Sequence, residues 1–266
     1  MSQRSPKRRP TADRSSTSPR AAARMLSAGE QGLVVELGES IDPSVNGRVQ
    51  WLARAVAARH GSQVIDIVPT YRSLLLVHDP LRVPRDRLES WVRALLEDMP
   101  EDAEMEPPSR LVRVPACYGG EFGPDLEEVA RQHRLAREEA IALHSGATYR
   151  IYMLGFTPGF PYLGGLPARL ATPRLEVPRQ LVKAGSIGLA GEQTGIYPVA
   201  SPGGWRIIAR TPLRLFDPSS EAAFLFAAGD RVRFEPVDRR HFDQIAAAVA
   251  AGRYEPAIES EARSDG

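Results

Sequence analysis

The stretch Gly155–Pro167, GFTPGFPYLGGLP, decides how the second half of this chain folds. Its three prolines and four glycines exclude a helix and argue against a central strand, because proline lacks the donor that a ladder needs. Phe156, Phe160 and Tyr162 nevertheless bring rings that normally seek a core. Two readings follow. Either the prolines fix a rigid rim with rings exposed on a concave surface, or the rings pack the segment into a self-contained loop.

Around this stretch, Thr148–Pro236 consists of short β-branched or aromatic segments (YRIYML, SIGLAG, WRIIAR, VRFEP) punctuated by Gly and Pro. That texture predicts a closed barrel or compact sandwich. Asp238–Ala251 carries Phe242, Ile245 and Val249 at helical spacing and predicts a final helix. Upstream, Gln31–Leu37 reads as a strand. Asp42-Pro43 supplies an N-cap and first-turn proline for a helix closed by Gly61. Gln63–Pro69 and Tyr71–His78 predict paired strands, Pro84–Met99 a second helix, and Leu111–Val114 another strand. The order β-α-β-β-α-β is that of the ferredoxin-like split unit. Pro124–Ala130 and Glu138–Leu143 predict two short helices, the first introduced by Gly123-Pro124-Asp125. The expected divisions are a disordered basic tail over 1–27, an α+β unit over 28–107, a β-barrel with its C-terminal helix over 108–252, and a flexible tail over 253–266.

The formal net charge of +1 conceals an uneven distribution. Residues 1–24 hold seven basic residues and one acid, leaving 27 basic and 32 acidic residues beyond them. A body at −5 does not supply the clustered cations that nucleic-acid binding requires. No apolar run approaches the roughly 18 residues of a membrane span. Cys117 is the single cysteine; internal disulfides and cysteine zinc cages are excluded, which fits a reducing cytoplasm. After an apolar strand it reads as a small hydrophobe more readily than as a nucleophile. The histidines lack the i,i+4 pairing of a zinc site, and no metal site is expected.

Three further groups of residues are candidates for chemistry. In Lys183–Pro198, KAGSIGLAGEQTGIYP, Gly185, Gly188 and Gly191 recur every third residue, as an anion-holding nest or as barrel corners. No phosphate-binding glycine motif is present. Gln193 and Thr194 offer an amide and a hydroxyl within a turn, and Tyr197 adds a ring and hydroxyl. In Ala200–Trp205, ASPGGW, Ser201 lacks the nucleophile-elbow context, while Gly203 and Gly204 have backbone amides suited to an oxyanion. His144, ahead of the strand entering GFTPGF, reads equally as an acid–base group and as a helix-end histidine.

The strings MLGFTPGFPYLGGLP, ATPRLEVPRQLVKAGSIGLAGEQTGIYPVASPGGWRIIARTP, LFDP and GDRVRF resemble the KipI (allophanate hydrolase subunit 1) family, as do VPTYRSLLLVHDP and VPACYGGEFGPDLEEVA. Together they span Ala28 to about Phe242. The resemblance implies a ferredoxin-like domain followed by a cyclophilin-like β-barrel. It implies the B component of an ATP-dependent 5-oxoprolinase, acting with a KipA-like C component and a LamB/YcsF-type A component to open the lactam of 5-oxoproline to glutamate. A lactam is a poor electrophile; phosphorylating its oxygen with ATP creates a leaving group, and the enzyme then positions and stabilises charge. Alternatives in the same family are an inhibitor of a sensor histidine kinase and a carboxyltransferase component related to urea carboxylase. The basic extension before Met25 and Lys183 depart from the family pattern, and Lys183 is expected to be a solvated surface residue. His144 and Gln193 are the expected catalytic contacts. Phe156, Pro158, Gly159, Phe160, Thr194, Tyr197, Ser201, Gly203, Gly204 and Trp205 are expected to shape the substrate pocket or the face that meets a partner protein.

Overall fold

The computed structural model describes residues 23–100, 110–220 and 222–260. The expected tail up to residue 22, the boundary segment 101–109 and residues 261–266 lie outside the described residues. The first unit runs β1 (Arg24–Ala28), β2 (Gly32–Glu36), α1 (Pro43–His60), β3 (Asp66–Pro69), β4 (Ser73–Val77) and α2 (Arg85–Glu97). Asp42 caps α1 as its sequence predicts, accepting from the Ser44 N–H at 2.8 Å, with Pro43 in the first turn. Gly61 ends the helix by a tight turn in the right-handed region, not by a left-handed cap.

The four strands form an antiparallel sheet in the order β1-β2-β4-β3. Leu33 and Val35 face Leu76 and Leu74 across the β2–β4 register, and all four are fully buried. With Leu52, Val56, Leu88 and Val92 from the helices they make one core, as the alternation in the strands and the 3.6 period in the helices require. Two expectations are corrected. Residues 24–27 are strand rather than tail, since β1 donates a complete antiparallel edge to β2. Leu111–Val114 does not complete this sheet; β1 occupies the place beside β2, and Leu111–Val114 lies in the second sheet.

The second unit contains β5 (Arg110–Tyr118), α3 (Leu126–Gln132), α4 (Arg137–Gly146), β6 (Tyr149–Leu154), β7 (Pro161–Gly164), β8 (Arg179–Val182), β9 (Ser186–Ala190), β10 (Gln193–Ile196), β11 (Ser201–Gly203), β12 (Arg206–Arg210), β13 (Arg231–Pro236), α5 (Arg239–Ala250) and β14 (Ile258–Ser260). The order β12-β9-β10-β7-β6-β13-β5 closes when β5 pairs with β12, giving a seven-stranded barrel. Closure removes free edges and encloses Val112, Val114, Tyr149, Ile151, Leu163, Ile187, Leu189 and Phe234. The protein is thus a mixed α/β chain with a closed barrel.

Three local expectations change. Pro161–Gly164 is a central strand after all, because Pro161 stands at its first position, where no ladder donor is needed. Gly164 is required there: a Cβ would lie 2.0 Å from the Tyr152 ring. Gln193 and Thr194 belong to β10 and not to a turn. Of the segment expected to be a flexible C-terminal tail, the described part returns to the barrel, where β14 pairs with β5.

The two units meet at a bulge. Tyr152 is the extra residue where the β6–β7 register shifts, and its carbonyl accepts from the Asn46 amide at 3.2 Å and the Gln50 amide at 3.1 Å. Asn46 and Gln50 are one turn apart on α1, so both reach the same oxygen. The Tyr71 ring packs against Tyr152 and Tyr162 beside this contact. Among the described residues no helix is long and apolar enough to cross a membrane.

Candidate functional site

Three proline- and glycine-rich segments converge outside the barrel wall. Phe160, Val182, Ala190, Tyr197, Trp205 and Ile207 form a separate cluster beneath them. Phe160 stands edge-on to both Tyr197 and Trp205, at 5.2 and 5.4 Å between ring centroids. Such close ring packing needs small residues below it. A Cβ on Gly195 would lie 2.9 Å from both the Phe160 and Trp205 rings. Above the cluster opens a cavity of about 230 Å³ lined by Phe156, Phe160, Tyr162, Arg174, Pro178, Tyr197, Pro202, Gly203, Gly204 and Trp205. Phe156 projects at its mouth, 64% exposed, from a backbone with φ of +65°, a region costly for a non-glycine residue.

Burial pushes the Tyr162 and Tyr197 hydroxyls up, against the opposing pull of the Arg174 charge, so both remain protonated donors at neutral pH. The site therefore offers rings, neutral hydroxyls and one guanidinium. It suits holding and orienting a small flat molecule. Arg174 and Pro178 were not singled out from the sequence, and Tyr162 and Pro202, though inside quoted segments, were not among the expected site residues. Pro173 and Pro178 bracketing a cation in ATPRLEVPR were the available signal.

The rim is tied to the barrel by an ion pair that sequence reasoning also missed. Asp125, expected as a helix opener, makes no cap with its side chain. It accepts from Arg179 at 2.6 Å and from the Ile207 N–H at 2.6 Å, while Arg179 also donates to the Trp205 carbonyl at 3.3 Å. Gly203 is equally constrained, since a Cβ there would fall 2.2 Å from the Tyr197 hydroxyl. Gly203→Ala is expected to lose about 1–3 kcal/mol and to shift Tyr197 into the cavity. A lowered denaturation midpoint with altered tyrosine absorbance checks this.

The other expected residues lie elsewhere. Pro158 sits in the turn between Phe156 and Phe160, and Gly159, at φ +81°, backs onto Phe216 and Phe224. Ser201 is buried with its hydroxyl unpartnered and does not line the cavity. Gln193 lines a neighbouring cleft of about 290 Å³ between the units, with Tyr71, Tyr152 and Glu192.

His144 is corrected most. Its ring is completely buried inside the barrel, stacked on Phe234 at 4.6 Å, and reaches neither cavity. Its Nδ1 meets the Tyr118 hydroxyl at 2.7 Å, and Nε2 meets the Thr194 hydroxyl at 3.1 Å. Thr194, equally buried, donates to the Gly188 carbonyl at 3.0 Å. The chain of donors runs from Tyr118 O–H to Nδ1, and from Nε2–H through Thr194 to Gly188, which assigns a neutral ring. Burial lowers its pKa from 6.5 to about 3.

Cys117 is buried and its thiol is pushed up chiefly by desolvation, so it is not an activated nucleophile. Lys183 is exposed. A wider groove of about 410 Å³ near the end of α5 contains Arg214 and Asp217, which pair with one another at 2.7 Å. Among the described residues no group of three or more His, Cys, Asp or Glu could hold a metal. Neither of these two cavities suits a nucleoside triphosphate: the small aromatic cavity brings one cation, and the inter-unit cleft brings an acid, Glu192.

The aromatic cavity thus lies on the outside of a closed barrel, and the chain belongs to the family described as carboxyltransferase domain, subdomain C and D, which it matches over residues 23–226. It is 40% identical over 224 residues to the B component of 5-oxoprolinase from Bacillus subtilis, covering 80% of this chain and 92% of that protein. The crystal structure of TTHA0988 aligns with a TM-score of 0.70 at 39% identity over 78% of this chain. The chain spans only 40% of that longer polypeptide. Urea carboxylase of Kluyveromyces lactis, 20% identical, shares the fold with a TM-score of 0.73 over 90% of this chain and 24% of its own.

Proposed function

We propose that this chain is the B component of an ATP-dependent 5-oxoprolinase in the cytoplasm, acting with a KipA-like C component and a LamB/YcsF-type A component. The observation that carries this reading is the cavity itself: five rings, two neutral hydroxyls and a cation in a space suited to one small ring compound. The 40% identity to the B component of a 5-oxoprolinase, extending over nearly all of that protein, supports the same substrate. The first unit fits a ferredoxin-like sheet in which an N-terminal strand takes the last strand's place, and the barrel fits the cyclophilin-like class.

The division of labour follows from what the cavity contains. Its rings and hydroxyls hold and orient the lactam, and its apolar walls limit water. No side chain in it is a nucleophile with a base, and nothing in it suits a triphosphate, so on this reading ATP is bound outside this cavity. Phe156, Val177 and Leu181 are exposed on segments that form or adjoin the cavity wall. On this reading these exposed apolar side chains are contacts for another polypeptide.

The test is reconstitution with the components encoded beside it. The expected result is ATP hydrolysis that depends on 5-oxoproline, releases glutamate and requires this chain. A complete complex that hydrolyses no ATP in response to 5-oxoproline overturns the reading.

A further inference from the structure

We propose that Arg174 anchors a ligand carboxylate in the cavity, so that the site selects small anionic ring compounds over neutral amides. The choice of 5-oxoproline as the natural ligand rests on the preceding reading; the preference for a carboxylate rests on the cavity alone.

Arg174 is the only charged residue lining this cavity among the described residues, and no carboxylate lines it. Its guanidinium carbon lies 5.8 Å from the centre of the Trp205 ring. Among the described residues it forms no ion pair, whereas nearby arginines do: Arg179 with Asp125, Arg206 with Glu128 and Arg169 with Glu139. An arginine stacked on an aromatic wall keeps its planar edge of donors free, the geometry that matches a carboxylate with two parallel hydrogen bonds.

The segment bearing Arg174 is fixed before any ligand arrives. Thr172 and Gly191 exchange backbone hydrogen bonds at 3.2 and 2.7 Å, and the Thr172 hydroxyl meets His133 at 2.9 Å. On the other side the Leu175 N–H donates at 2.7 Å to the carbonyl of Gly204, itself part of the cavity wall. Pro173 and Pro178 restrict the backbone between these ties. The cation is thereby placed without ordering a loop on binding, which lowers the entropic cost of association. The Tyr162 and Tyr197 hydroxyls can donate to a ring carbonyl while Arg174 takes the carboxylate. About 230 Å³ accommodates a five- or six-membered ring with one carboxylate and excludes a nucleotide.

The test compares 5-oxoproline with 2-pyrrolidinone, the same lactam without its carboxylate. Binding to the full chain is followed by Trp205 fluorescence, with Trp205→Phe defining the signal from Trp51 and Trp91. Wild type is expected to bind 5-oxoproline at least about tenfold more tightly than 2-pyrrolidinone. Arg174→Gln is expected to abolish that preference, and Arg174→Lys to retain part of it. In the reconstituted complex, Arg174→Gln should raise KM for 5-oxoproline about tenfold or more, leaving kcat within about threefold.

If the wild-type complex responds to 5-oxoproline and Arg174→Gln has an unchanged KM, the Arg174 assignment falls and the proposed function stands. If the complex never responds to 5-oxoproline, the functional reading falls. Arg174 is then judged by titration with pyrrole-2-carboxylate against pyrrole. Equal binding of the charged and neutral partners by wild type overturns the assignment.

Discussion

Replacing His144 by alanine is expected to lower stability by about 3–5 kcal/mol, although the residue touches neither cavity. The substitution leaves a hole beside Phe234 and strips the Tyr118 hydroxyl of its acceptor. His144→Gln keeps an acceptor and a donor in a shorter side chain, and should lose less than half as much. The pair also separates packing from titration. The folded ring titrates near 3 and the unfolded one near 6.5, so between these values the unfolded chain binds the additional proton. The contribution to stability is complete above pH 6.5 and is lost progressively as pH falls toward 3. It amounts to about 2 kcal/mol between pH 6.5 and 5. Urea midpoints at both pH values should show that slope in wild type and its flattening in His144→Gln. An equal slope in both proteins would refute the buried-imidazole account.

Asp125→Ala should cost about 3 kcal/mol, toward the lower end for a broken buried pair because Arg179 keeps partial access to water. It removes the acceptor for both Arg179 and the Ile207 N–H. Because Arg179 also holds the Trp205 carbonyl, the loss should spread to the cavity wall. Asp125→Asn keeps one acceptor but not the charge, and should fall between. The measurements are the denaturation midpoint and the Trp205 emission maximum. A destabilised Asp125→Ala protein with unshifted Trp205 emission would uncouple the ion pair from the site.

The helices were legible in the sequence because caps and periodicity are local. Asp42-Pro43 opens α1, and Phe242 lies on the buried stripe of α5. Barrel texture was legible too, since short strands between Gly and Pro have few other solutions. The identity of the strand beside β2 was not, because β1 and Leu111–Val114 are both plausible partners and only long-range pairing decides between them. Within the site, Phe156, Phe160, Tyr197, Gly203, Gly204 and Trp205 could be picked out as rings and glycines concentrated in punctuated loops. Arg174 looked like any surface cation until its missing acid partner could be seen. His144 misled for a related reason: a histidine at a helix end looks poised for chemistry, and its engagement by Tyr118 and Thr194, 26 and 50 residues away in the chain, is a tertiary fact.

The joint at Tyr152 has a mechanical consequence. Two amides from one helical turn grip a main-chain oxygen, so this pair of bonds does not depend on which side chain occupies that bulge. Paired directional bonds resist rotation about either one, making the junction a stiff elbow and not a free pivot. A load applied to the first unit by a bound protein would be transmitted through β6 to the strand bearing Tyr162, one of the residues that line the aromatic cavity.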